Sequence, residues 1–231
     1  MTTHTEHTSK HYEHDLKELR DKILLIGGHV EELIANSMKA LIQSDSELAK
    51  KSIKLDQEIN RLEKQIDELC INILALRQPT ASDLRFIITS LKIVTDLERM
   101  GDLGVNIAQR ALELLKEPPL KPYIHLPILA QMAQKMMKDA LDALVKGGES
   151  LAESVMGNDD AVDELTHKII DELMILMRED PNNINRGVKL ISVAKYLERL
   201  ADHATNVAEM VLFLMRGEDV RHPALRNSPL Q

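Results

Sequence analysis

LERMGDLGVNIA, residues 97–108, and LERLADHATNVA, residues 197–208, are one sentence written twice, a hundred residues apart. They agree at six of twelve positions, among them the Leu-Glu-Arg triplet, the Asp three places on and the Asn four further. At 100° per residue, Val94, Leu97, Gly101, Gly104, Ala108 and Leu112 share one stripe. In the second copy the same stripe holds Ala194, Leu197, Ala201, Ala208 and Leu212. Each copy therefore reads as the middle of an amphipathic helix, and the fold question becomes what else is duplicated around it.

Outward from the first copy, residues 11–43 read as one long amphipathic helix, with Gly27 and Gly28 as a close packing point or a kink. Ser44-Asp45-Ser46 supplies cap chemistry for a second helix to about Arg77. RQPTASDLR (77–85) breaks it, because Pro79 cannot continue a helix, and a third helix runs to about Lys116. EPPLKPYIHLP (117–127) holds half of the chain's eight prolines and reads as a hinge-like linker. The pattern then repeats: a helix to about Lys146, a break at Gly147-Gly148, one helix to about Arg178, a turn over 179–183, and a last helix to about Arg216. The expectation is an all-α protein of two tandem, pseudo-symmetric three-helix bundles, residues 1–117 and 118–231.

Composition agrees. Of 231 residues, 44% are hydrophobic but only 2% aromatic, so the core is aliphatic. The net charge of −8, with no basic stripe, argues against nucleic-acid binding through phosphate neutralisation. Cys70 sits in an apolar run and reads as a buried, inert thiol of a reducing compartment. MVLFLM (210–215) is far shorter than the ~20 residues that span a bilayer, and the N-terminal residues lack a signal-peptide core. A cytoplasmic protein with no direct membrane insertion is expected.

The duplicated helices carry acids beside the apolar stripe. Glu98, Asp102 and Asn106 follow i, i+4, i+8 spacing, and so do Glu198, Asp202 and Asn206. The preceding helix carries Asp56, Asn60, Glu63 and Asp67 on one flank; Asp159 and Asp163 take the places of Asp56 and Asn60 in the second half. Asp160, Glu164, His167 and Asp171 form an overlapping stripe one residue on, which leaves the register open. If the two flanks meet at a helix seam, oxygen ligands converge. Two carboxylates ~6 Å apart repel by roughly 3 kcal/mol at an effective dielectric near 20, so such a cluster calls for a cation or raised pKa values. Oxygen-only donors suit hard cations such as Fe, Mn or Mg. Spacing alone leaves a solvated charged face open as the alternative.

Di-iron bundle enzymes place two ExxH pairs and two further Glu in the bundle core. This chain has one internal ExxH, Glu164 to His167, and acids on flanks. No nucleophile–base pair, glycine-rich phosphate loop or paired Cys motif appears, so no enzyme is expected. His4, His7, His11 and His14 have helical spacing but read as a solvated terminus, and Met132, Met136 and Met137 as core filler. The long apolar stripes also allow a homodimer.

GGHVEELI (27–34), RQPTASDLR, the two LER stretches and the RGEDVRH ending (216–222) together resemble the PhoU family over nearly the whole chain. The resemblance implies two tandem three-helix bundles and a non-enzymatic role: negative regulation of the phosphate-starvation response and of phosphate uptake. It implies, as partners, the ATPase subunit of the phosphate ABC transporter and the sensor histidine kinase of the regulon. It also implies multinuclear surface metal held by Glu/Asp-x-x-x-Asp motifs, onto which Glu98/Asp102, Glu198/Asp202 and Asp159/Asp163 fall. Asp56-x-x-x-Asn60 departs by an amide, and Glu63-x-x-x-Asp67 compensates.

Overall fold

The computed structural model describes residues 3–217, with side chains from residue 11 onward. The ending beyond Gly217 and the side chains of His4 and His7 lie outside the described residues. The helices are α1 (Thr3–Gln43), α2 (Ser46–Leu76), α3 (Ala81–Leu114), α4 (His125–Lys146), α5 (Glu149–Gly157), α6 (Asp159–Glu179) and α7 (Ile184–Arg216). No strand occurs among the described residues.

The helices end where the sequence supplies the chemistry to end them. Ser44 takes a left-handed turn (φ 59°) after α1, and Asp45 then caps α2 by accepting the Leu48 N–H at 2.9 Å. Replacing Asp45 with Ala is expected to cost about 1 kcal/mol, read as a lower urea midpoint with unchanged m-value. After α2 the RQPTASDLR turn is tied back to α1. Arg77 donates to Asp15 at 3.3 Å, while the Tyr12 hydroxyl and Thr80 both donate to Asp83 Oδ2. Gly147 at φ 67° closes α4, and Gly217 at φ 73° closes α7, both left-handed positions that favour glycine.

One expected helix is two. The stretch from Gly148 to about Arg178 is interrupted at Asn158, between α5 and α6. Gly157 is a weak helix former. Asn158 donates its side-chain amide to the Ser154 carbonyl at 2.8 Å, and its own N–H reaches only three residues back, to Val155. Local hydrogen bonds of this kind compete with helix continuation.

Buried residues on α1 (Leu19, Ile23, Ile26, Val30, Leu33, Ile34) fall at three- and four-residue steps and meet α2 and α3. α4, α6 and α7 pack in the equivalent way. The two halves join through α3 against α7, a contact as extensive as those inside each half, and through α1 against α4. Asp96 meets His203, Glu113 meets Lys189, and Arg85 lies beside Gly217, so α3 and α7 run antiparallel. The two LER turns therefore cross near the middle of this seam, where Met100 and Leu200 are fully buried. One continuous apolar cluster runs through both halves.

The proline-rich segment is not a free hinge. Lys121 and His125 both converge on Glu172 of α6, and Arg186 of α7 donates to the Pro118 carbonyl at 2.9 Å. Cys70 is buried, and burial pushes its thiol up to about 12, as an inert core cysteine requires. α1 passes through Gly27 and Gly28 unbroken, and Gly27 is a close packing point: a Cβ there would lie 2.5 Å from Leu141 Cδ1 of α4.

Candidate metal centre

α2 and α3 bring Asp56, Glu63, Glu98 and Asp102 to one seam. Ile59, Leu62 and Ile66 are buried and hold α2 against α3, while the acids stand on the flank that this packing leaves at the edge. Gly101 keeps the approach tight: a Cβ there would meet Ile59 at 3.2 Å and come within 3.9 Å of Asp56 Oδ1. Desolvation raises the pKa of Asp56, Glu63 and Glu98, and repulsion from Asp102 raises all three further. Arg99 partly offsets this at Glu98, and the Asn60 amide, donating to Asp56 Oδ2 at 3.0 Å, does so at Asp56. Asp56 Oδ1 is buried and accepts no hydrogen bond. Asp67 stands at the end of the stripe, where its charge raises Glu63.

The second half repeats this with α6 and α7. Asp159, Asp163, Glu198 and Asp202 interact, and the register left open by the sequence resolves in favour of 159 and 163. Asp160, Glu164, His167 and Asp171 are exposed on the outer face of α6. Burial, then Asp163, raises Asp159; burial, then Asp159 and Glu198, raises Asp202. Here too the chain's own side chains offset the acids, as Arg99 and Asn60 do in the first seam. Lys195 ion-pairs with Glu198 at 2.6 Å, and Thr205 donates to Asp159 at 3.3 Å.

Asn106 and Asn206, unlike Asn60, part company with the seam carboxylates. Asn206 turns across the halves and donates to Asp96 Oδ1 at 3.2 Å, beside the His203–Asp96 contact at 2.8 Å. No hydrogen bond joins Asn106 to the carboxylates among the described residues. The Asp96–His203 clasp was not expected from the sequence. Its one signal was a break in the repeat, since Tyr196 stands opposite Asp96 in the alignment and Leu103 opposite His203.

Among the described residues, no three His, Cys, Asp or Glu side chains converge closely enough as placed to hold one ion. The donor chemistry nonetheless fits a hard cation: four carboxylates per seam, all-oxygen, with Asp56, Glu63 and Glu98 raised in the first and Asp159 and Asp202 in the second by burial and neighbouring acids, and in the first seam a buried carboxylate oxygen without a donor.

A family model, the PhoU domain, matches residues 23–111 and 126–211, one copy on each half. The chain belongs to the PhoU family. It is 41% identical, over 96% of its length and 87% of the relative's, to the phosphate-specific transport system accessory protein PhoU homolog of Pseudomonas putida. The homolog of the same name in Aquifex aeolicus is 42% identical, covering 92% of this chain and 96% of that one. Among solved structures, PhoU from Pseudomonas aeruginosa matches with a TM-score of 0.87 at 41% identity, over 90% of this chain and all of that one. The phosphate transport system regulatory protein PhoU from Streptococcus pneumoniae matches at 0.84 and 32% identity, over 90% and 99%. The PhoU-like fold of tandem helical bundles follows from these likenesses, and no described helix is long and apolar enough to cross a membrane.

Proposed function

We propose that the protein is a negative regulator of the phosphate-starvation response and of phosphate uptake. It works in the cytoplasm as an adaptor between the ATPase subunit of the phosphate ABC transporter and the regulon's sensor histidine kinase. The observation that supports this reading is likeness along nearly the whole chain to proteins named as accessory to the phosphate-specific transport system. Deleting the gene is expected to leave a phosphatase reporter switched on in high phosphate, with wild-type protein restoring repression. A reporter that stays repressed in the deletion strain rules the reading out.

The reading includes cation binding at the two acidic seams. Asp56, Glu63, Glu98 and Asp102 would hold the ion in one, and Asp159, Asp163, Glu198 and Asp202 in the other, with Asn60 and Asp67 at the rim. The bound cation supplies positive charge that relieves repulsion among groups already crowded against one another. The chain's own contribution is to fix α2 against α3, and α6 against α7, so that neutralised seams hold one shape for a partner to read. A helical scaffold whose acids only face solvent is the second reading, favoured by the Lys195–Glu198 pair and the absence of a converged triad among the described residues. A di-iron enzyme has no comparable support. Glu164 and His167, its only ExxH pair, are exposed on α6 rather than aimed into a bundle core.

A further inference from the structure

Each half exposes apolar side chains where its second and third helical segments run side by side. In the second half, Asn183 reaches the Leu176 carbonyl, a Cβ on Gly187 would meet Met177, and Thr205 reaches Asp159. This antiparallel register sets Ile175 of α6 level with Val188 of α7, and both are 52% exposed. Ile184, 49% exposed, and Met174, 38%, extend the patch. Leu, Ile and Val lying singly on a surface need no explanation, whereas several at one level of two packed helices offer a partner a contact surface.

What adjoins the patch identifies the occupant. An open trough of 800 Å³ runs along the outer face of α6 and ends at Ile175; Asp160, Glu164 and Asp171 line it, with Lys168 the one lysine. The matching patch of the first half, Ile71 with Ile88 and Leu84, lacks this field. Arg61 and Lys64 on α2 stand among its acids, paired with Glu58 and Glu68. We infer that the Met174–Ile175–Ile184–Val188 patch and the acidic α6 trough together dock a cationic amphipathic helix of a protein partner. Its apolar face sits on the α6/α7 patch and its Lys or Arg side chains lie along Asp160, Glu164 and Asp171. Anchors at helical spacing in an apolar groove are a recurring mode of helix recognition, and the charges favour a basic sequence over an acidic one. An anionic lipid surface is disfavoured by the same acids.

The inference gives the adaptor reading a surface, and rests on that reading only for its biological meaning. It is tested on purified protein without a phosphate-responsive reporter, so either can fail alone. The probe is a fluorescein-labelled 18-residue helical peptide with Leu on one face and Lys on the other, followed by anisotropy, beside a Leu/Glu peptide of the same pattern. Saturable 1:1 binding of the Lys peptide is expected. Val188→Glu or Ile175→Glu should weaken it tenfold or more. Asp160→Asn with Glu164→Gln and Asp171→Asn should weaken it and flatten its salt dependence, while Ile71→Glu with Ile88→Glu leaves it unchanged. Val188→Ser serves if a charged variant alters the circular dichroism. Equal binding of the Leu/Glu peptide, no binding, or indifference to the Val188 and Ile175 changes overturns the proposal. So does a dimer in light scattering that Val188→Glu splits, which would assign the patch to a second copy. Vesicles containing phosphatidylglycerol that bind wild-type protein but not Val188→Glu would overturn it in favour of a membrane.

Discussion

Manganese(II) added to chelator-stripped protein is expected to raise its thermal midpoint by roughly 5–10 °C for each seam it fills, and by twice that when both fill. At a hundredfold excess over Kd, a ligand that binds only the folded state adds about 2.7 kcal/mol per site, and each kcal/mol moves a domain of this size about 2–4 °C. Asp102→Asn provides the discriminating arm, because Asp102 repels Asp56, Glu63 and Glu98 alike. Without metal the variant should melt higher than wild type, since a repulsive charge is gone. With metal it should gain only about half as much, because one seam has lost a ligand. No manganese-dependent shift in the wild type, or an equal shift in the variant, leaves the scaffold reading standing.

Metal-free protein should also be more stable in mild acid than at neutral pH. Asp56, Glu63, Glu98, Asp159 and Asp202 have raised pKa values in the folded state, chiefly through desolvation. The native state thus binds protons more readily than the unfolded chain, and this contribution is full below the unfolded carboxylate pKa and lost as pH climbs through the raised values. Glu172, held down by Lys121 and then His125, acts in the opposite direction, but it is one group against five. The midpoint should therefore climb as pH falls from about 7 toward the carboxylate range, and added cation should flatten the slope. A midpoint that falls steadily over that interval contradicts the crowding of the two seams.

The helices were legible because their signals are local. Asp45 caps, Pro79 breaks, and the apolar residues of α1 recur at a helical period whatever lies around them. The interruption at Asn158 was not legible, since Val155 and Val162 keep the apolar period across it and a single Gly-Asn pair is a weak stop. The acidic stripes were visible as spacing on one helix, but their register on α6 was not. Asp159 and Asp160 point about 100° apart, and only packing on α7 decides which of them faces Asp202. The prolines of 117–127 announced a linker, yet the charges that strap it, Glu172 and Arg186, lie 51 residues beyond Lys121 and 68 beyond Pro118. Such long-range pairs have no signature in a single sequence, and the Asp96–His203 clasp is hidden for the same reason.

Three glycines make the sharpest test of the seam geometry, because one chemical change should have opposite signs at different places. In an exposed helix interior, Gly→Ala is worth about 1 kcal/mol of added stability. Gly28 is such a site: it is exposed, and a Cβ there meets nothing within 4 Å. At Gly104, inside the opening repeat, a Cβ would stand 2.1 Å from Leu33 Cδ2 and 3.2 Å from Ile34 Cγ1. Leu33 and Ile34 are both fully buried, so neither can swing into solvent. Overpacking a filled core costs typically 1–3 kcal/mol, which outweighs the gain in helix propensity. Gly27, facing Leu141 Cδ1 at 2.5 Å, should behave like Gly104 and report on the α1/α4 contact between halves. Gly104→Ala and Gly28→Ala should thus separate by about 1–3 kcal/mol in urea unfolding, the overpacking cost, with wild type between them. The second repeat carries Ala204 where the first has Gly104, so the two copies share a pattern while α3 approaches α1 more closely than a methyl group permits. If Gly104→Ala proved as stabilising as Gly28→Ala, that close approach would be wrong, and with it the depth at which Gly101 and Asp56 are drawn into the first seam.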